Sequence, residues 1–298
     1  MLLKYSSAKA HTLAPVLVLL WAASFWGVVW YPLRLLAEAG LGGVWTTWVI
    51  FGTAALPGAV LAWSRRGEIL EQPGLLLLIA LCNGWLNTAF VLAMLDGNVV
   101  RVLLLFYLSP LWSTLLGWWW LGERPSVFGW ATLVLAMAGA LLMLWNPLLG
   151  LPWPQDSADW LAISSGLGFS ISNVLVRRTH HLSAQLKAAV IWWGVVLVAG
   201  VWLLLGDMHW PQVAGVTWLG AIALGALGIF FSTLAVVYGV SHMPVHRSAV
   251  ILLFELVAGA LSSQILTNEQ VLPIEWVGGG LIVVAAWLSA THSHKPVT

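Results

Sequence analysis

Glu255 is an acidic side chain set well inside a long apolar run. Ile251, Leu252, Ala258 and Gly259 occupy the helical positions around it, and none is basic. A carboxylate so placed is costly unless it faces a cavity or a partner from another helix, and such residues mark transport pathways. Two readings are open. Glu255 binds a proton or a cationic group, or it is held by hydrogen bonds and fixes helix packing. Asn83 and Asn87 stand four residues apart, hence on one helix face, with Thr88 beside them. That face points inward, either to read polar groups of a solute or to bond another helix. Ser164, Gly168 and Ser172, with Asn173 adjacent, form a small-residue stripe that lets a helix come close. Gly259 and Ser262 continue the face of Glu255, and Tyr107, Ser109 and Ser113 occupy the matching part of an earlier run.

Trp21, Trp26, Trp85 and Trp112 lie deep in apolar runs. They either stack on an aromatic solute or cover a cation, or they fill the core. The tryptophans near run ends, such as Trp63, Trp118, Trp119 and Trp120, fit an interfacial belt. Arg101 and Arg247 each open a run, as gate charges or as helix anchors. The candidate binding set is therefore Asn83, Trp85, Asn87, Tyr107, Ser109, Trp112, Ser172, Asn173, Glu255 and Ser262. Glu255, Arg101 and Arg247 are the candidates for coupling or gating. His292 and His294 could take a metal adventitiously, but no ligand set has proper spacing, and no cofactor is expected.

The elements that must carry these residues are membrane spans. Of 298 residues 60% are hydrophobic and only 8% charged, with a mean hydropathy of +0.92. Soluble domains carry about 25% charge, so lipid rather than water must cover this surface. The net charge of +1 implies no nucleic-acid partner, and the single Cys82 excludes a disulfide within the chain. Apolar runs lie at 13–33, 41–63, 73–95, 102–121, 127–145, 159–176, 186–205, 213–241, 248–267 and 273–289. Each is long enough to cross a hydrocarbon layer of about 30 Å. Lys4 and Lys9 precede the first run as in a signal peptide, but the run is too long for one and reads as helix one. The expectation is an all-α membrane protein of ten helices, functional as a monomer.

The runs repeat. A shift of 146 residues lays Glu123 on Glu269, Arg101 on Arg247 and Ser109 on Glu255, with apolar spans aligned between them. This divides the chain into 1–150 and 151–298, separated by the turn-rich stretch 146–156. With the N-terminus in the cytoplasm, only Arg34 and Arg101 of the 12 Lys and Arg fall outside. Glu38, Asp96, Asp156, Asp159, Asp207, Glu269 and Glu275 then lie on the outer face, and both termini are cytoplasmic. Five spans per repeat invert the second copy relative to the first, an arrangement that places a binding site near the midplane of a secondary transporter.

Specific motifs accompany that pattern: Trp26-Gly27 near the start, Tyr107-Leu-Ser-Pro110, then Leu121-Gly-Glu123, and Gly278-Gly279-Gly280 in the last run. In these the chain resembles the drug/metabolite transporter superfamily, specifically the EamA-type exporters, over essentially residues 13–290. The resemblance implies a ten-helix exporter of small metabolites, amino acids or drugs in a bacterial cytoplasmic membrane. The family often has Glu-Pro in helix nine where this chain has Glu255-Leu256, which implies a straighter helix here. The leading expectation is export of an amino acid or similar solute. The alternatives are an exporter of lipophilic cations with Glu255 as counter-ion, and a membrane-embedded enzyme or channel. The chain has neither a phosphate-binding G-x-x-x-x-G-K-[ST] loop nor an H-E-x-x-H pair.

Overall fold

The computed structural model describes residues 2–145, 153–206, 209–267 and 271–291. The second hinge at Asn268-Glu269-Gln270, most of the stretch joining the halves, Asp207, and the tail with His292, His294 and Lys295 lie outside the described residues. The side chains of Lys4 and Lys9 do as well. The described residues are helical and contain no strand.

In chain order the helices are α1 (Leu2–Val28), α2 (Trp30–Glu38), α3 (Gly43–Trp63), α4 (Arg66–Ile69), α5 (Pro73–Asp96), α6 (Val99–Phe106), α7 (Ser109–Leu121) and α8 (Val127–Leu144). The second half holds α9 (Ser157–Arg178), α10 (Ala184–Leu205), α11 (Gly215–Ala223), α12 (Phe230–Ser241), α13 (Val245–Leu252), α14 (Phe254–Leu266) and α15 (Pro273–Thr291). A π-helical turn, Leu224–Ile229, joins α11 to α12. Among the described residues, nine spans are long and apolar enough to cross a membrane. The expected run at 159–176 is the long helix α9, yet it is not among the nine. Its sequence is rich in serine and glycine, and neighbours rather than lipid bury more than half of it.

Small residues set the packing. α5 and α10 touch where Gly84 meets Gly194: a Cβ on Gly194 would lie 2.2 Å from the Ala80 carbonyl oxygen. Gly139 of α8 and Gly278 of α15 approach so closely that a Cβ on either would sit 2.5 Å from the other's carbonyl oxygen. In lipid, where apolar surface gains little from meeting apolar surface, this close backbone packing is the main source of helix association. The largest buried cluster surrounds Trp192, which lies over Gly58 and stacks on Phe230 at 4.9 Å.

Three spans are interrupted: the first span breaks at Val29, between α1 and α2, and two others break at matching positions of the two halves. Of the matching pair, one lies at Tyr107 and Leu108, between α6 and α7, where Pro110 lacks an N–H and Leu111 N–H bonds Leu108 O at 3.0 Å. The other lies at Leu253, between α13 and α14. This corrects the expectation of a straighter helix nine. Leu256 has the N–H that proline would lack, and it donates to Leu253 O at 3.1 Å, closing a tightened turn instead of the α-helical one. The 146-residue shift lays Tyr107 on Leu253, so the two breaks are equivalent positions.

Candidate functional site

The breaks bring two expected site residues together. Glu255 sits in the first turn of α14, half-buried. Tyr107 caps the end of α6, also half-buried, and its hydroxyl lies near the Glu255 carboxyl. Among the described residues, no Lys, Arg or His forms an ion pair with Glu255. The backbone there is pressed against α1: a Cβ on Gly27 would lie 2.3 Å from Glu255 O and 2.6 Å from Ala258 Cβ. This gives the Trp26-Gly27 motif a steric reason. Beside Tyr107 stands an aromatic group: Phe106 lies 5.3 Å from Tyr107, and Phe90 and Phe169 lie 4.9 Å and 5.7 Å from Phe106.

The other expected residues separate by location. Ser262 lies on the same α1–α14 seam, where its hydroxyl accepts from Trp30 Nε1 at 2.9 Å and donates to Gly259 O at 2.9 Å. Ser109 is buried at the start of α7, its carbonyl accepting from Ser170 Oγ at 2.8 Å. Trp112 is half-buried with its indole N–H buried and unpartnered among the described residues, and Ser113 is fully buried with an unpartnered hydroxyl.

Asn83 belongs to the α5–α9 seam. Its amide donates to Ser172 Oγ at 2.6 Å and to Ile79 O at 2.8 Å, so these two polar groups satisfy each other across the helix pair. Asn87 donates to Asn83 O at 3.0 Å, and Asn173 is buried on α9. Trp85 is turned outward, 39% exposed, with its indole N–H on Ser164 Oγ at 3.2 Å. Gly168 packs against the Cys82 carbonyl and Leu86, as expected of a stripe that admits a helix.

The arginines differ in role. Arg247 donates to Ser289 O at 2.8 Å and Ala290 O at 3.1 Å, covering the carbonyls at the end of α15. These bonds tie the start of α13 to the end of α15. Arg101 instead forms a buried ion pair with Asp159, Nε to Oδ2 at 2.7 Å and to Oδ1 at 3.0 Å, and also bonds Trp153 O. Gln155 N–H closes the carboxylate from the other side at 2.8 Å. At the far end of α9, Arg177 pairs with Glu123 at 2.8 Å. Sequence inspection placed Asp159 and Glu123 at opposite faces but paired neither. The partners are 58 and 54 residues apart, and each lies in the opposite half of the chain.

A family model described as the EamA-like transporter family matches this chain twice, at residues 13–145 and 156–291. The protein RarD of Salmonella typhi is 28% identical over 197 residues, covering 63% of each chain. RarD of Escherichia coli is 25% identical over 197 residues, 63% of this chain and 62% of that one. These matches span less than two thirds of the relatives' length. An uncharacterized transporter of Haemophilus influenzae is 29% identical over 146 residues, 46% of this chain and 40% of its own. A solved crystal structure superposes with a TM-score of 0.72 at 19% identity, covering 92% of this chain and 95% of that one; at this identity the likeness is one of fold.

Proposed function

The chain belongs to the EamA-like transporter family, and from that premise we propose that it exports a small metabolite, an amino acid or similar solute, across the bacterial cytoplasmic membrane by alternating access. The observation that carries this reading is Glu255 facing Tyr107 where two spans break. A carboxylate without a basic partner among the described residues suits an ammonium group, and the phenol supplies a second polar contact. Broken helices near the midplane are where secondary transporters bind their solutes.

The reading includes ten crossing helices in two inverted repeats, with both termini cytoplasmic. Support comes from the double family match, the equivalence of Tyr107 and Leu253, and mirrored packing. α5 packs on α9 as α1 does on α12, and α9 packs on α6 and α7 as α1 does on α13 and α14. Closed packing around one pair of breaks suits a functional monomer. The aromatic group at Phe90, Phe106 and Phe169 favours a second reading in which the solute is a lipophilic cation.

Counterflow in proteoliposomes tests both. Vesicles are preloaded with a mixture of amino acids, other small metabolites and lipophilic cations, and exchange is read by mass spectrometry for the wild type and for Glu255→Gln. Saturable exchange of an amine-bearing metabolite, lost in the variant, is the expected result. Exchange confined to lipophilic cations selects the second reading. Exchange that survives in Glu255→Gln removes this residue from the site, and flux that neither saturates nor counterflows points to a channel.

A further inference from the structure

Four helix ends converge on a connected set of charges at the face assigned to the cytoplasm. Gly122 ends α7 in the left-handed region, φ 67°, and Glu123 N–H returns to Gly117 O at 3.2 Å. That turn folds the Glu123 side chain back over the neighbouring helix ends. One carboxylate oxygen accepts from Arg177 Nε, and the other accepts from the N–H of Val245, the first residue of α13, at 2.8 Å. Arg177 also donates to Ser241 O, at the end of α12, at 2.8 Å. Lys187 of α10, fully buried, donates to Ser241 Oγ at 2.7 Å, Thr179 O at 3.1 Å and Val176 O at 3.3 Å. Each charge matches the helix end it meets: the anion a helix start, the cations helix ends.

The two ion pairs of α9 are not equivalent. Arg101–Asp159 joins α6 to α9, which already pack against each other, and its side chains are 8% and 2% exposed. Glu123–Arg177 likewise joins two packed helices, α7 and α9, but it also reaches across to α12 and α13 through Ser241 O and Val245 N–H, and its side chains are 19% and 25% exposed. Water reaches this second pair, so its charges can be rehydrated when the contacts part, whereas releasing the first would strand buried ions.

We infer that Glu123 and Arg177 form the cytoplasmic gate of the transport path, opened by joint release of the Val245 N–H and the Ser241 carbonyl. The inference rests on the alternating-access reading above and explains what the Leu121-Gly122-Glu123 motif does in this chain. Ser113, fully buried on α7 one turn deeper than Gly117, lies behind the gate; a Cβ on Gly117 would be 3.2 Å from Val245 Cβ.

Side-specific labelling of the full chain in membrane vesicles tests it, using a membrane-impermeant maleimide in a Cys82→Ala, Ser113→Cys background. Glu123→Gln is expected to speed labelling from the cytoplasmic face about tenfold, the size of one lost charge-assisted bond, with the opposite face unchanged. Arg177→Lys keeps the charge but loses the forked contact, and is expected to give a smaller increase; it also serves if Glu123→Gln does not insert. Unchanged labelling in both variants, or equal speeding from both faces, overturns the gate. Speeding confined to the opposite face overturns the cytoplasmic assignment. The labelling is independent of any solute, so a chain that gates but exchanges nothing would overturn the transport reading and leave the gate standing.

Discussion

Tyr107→Phe removes one oxygen from the site and leaves the ring with its Phe106 contact. A hydrogen bond to a charged group contributes about 1.5–3 kcal/mol, so half-saturation in exchange should rise roughly tenfold to a hundredfold. Unaltered folding, checked by size-exclusion profile, would keep that change attributable to binding. A rise in turnover without a shift in half-saturation would put the hydroxyl outside the site. Asp159→Asn tests a different kind of residue. It leaves Arg101 buried beside a neutral amide, which typically costs about 3–5 kcal/mol, and the thermal midpoint in nanodiscs should fall sharply. A midpoint unchanged within error would mean that water reaches the pair. The sequence exposed Glu255 because a lone carboxylate in an apolar run stands out. It did not pair Arg101 with Asp159, because pairing across helices depends on three-dimensional packing that no local pattern encodes. Asn83, Ser172 and Trp85 had the right chemistry for a site, yet two of them bond each other and the third faces outward.

At the scale of elements, two glycines illustrate two separate demands. A Cβ on Gly122 would meet nothing within 4 Å, so its requirement is conformational, φ 67°. Gly122→Ala should cost about 1–2 kcal/mol, while Gly122→Asn, which tolerates that region, should cost less; a chemical or thermal unfolding series would order the two. Equal stability of both variants would show that the turn relaxes. Gly194 has an ordinary helical backbone but no room, its Cβ position being 2.2 Å from Ala80 O. Gly194→Val should therefore prevent α5 and α10 from closing and abolish the monodisperse protein peak. Helix lengths were readable from apolar runs, but the run at 102–121 reads as one unbroken span although Pro110 lacks an N–H. The break at Leu253 was not readable, because there the chain tightens a turn without any residue that forces it.

For the whole molecule the open quantity is the number of crossings, and it turns on α9. This helix has 22 residues, about 33 Å at 1.5 Å per residue, enough to cross. It carries serines, glycines and Asp159 where a lipid-facing helix would carry leucine. Apolarity is required only of surface that meets lipid, and α9 is sheathed by α5, α6, α7 and α12. Four of its buried polar groups have partners on neighbouring helices: Ser165 on Leu86 O, Ser170 on Ser109 O, Ser172 on Asn83 and Asp159 on Arg101. A polar helix is therefore consistent with a crossing helix, provided its neighbours cross too. Its ends then lie on opposite sides of the membrane, and the total becomes ten with both termini on one side. Gln155 and His180 flank α9 and are exposed, so each can be replaced by cysteine in a Cys82→Ala background. An impermeant thiol reagent should label Gln155→Cys only from the periplasmic face and His180→Cys only from the cytoplasmic face. Labelling of both from one face would place α9 beside the membrane, reduce the crossings to nine and separate the termini. The two halves would then no longer be inverted copies, and the equivalence of Tyr107 and Leu253 would lose its geometric meaning.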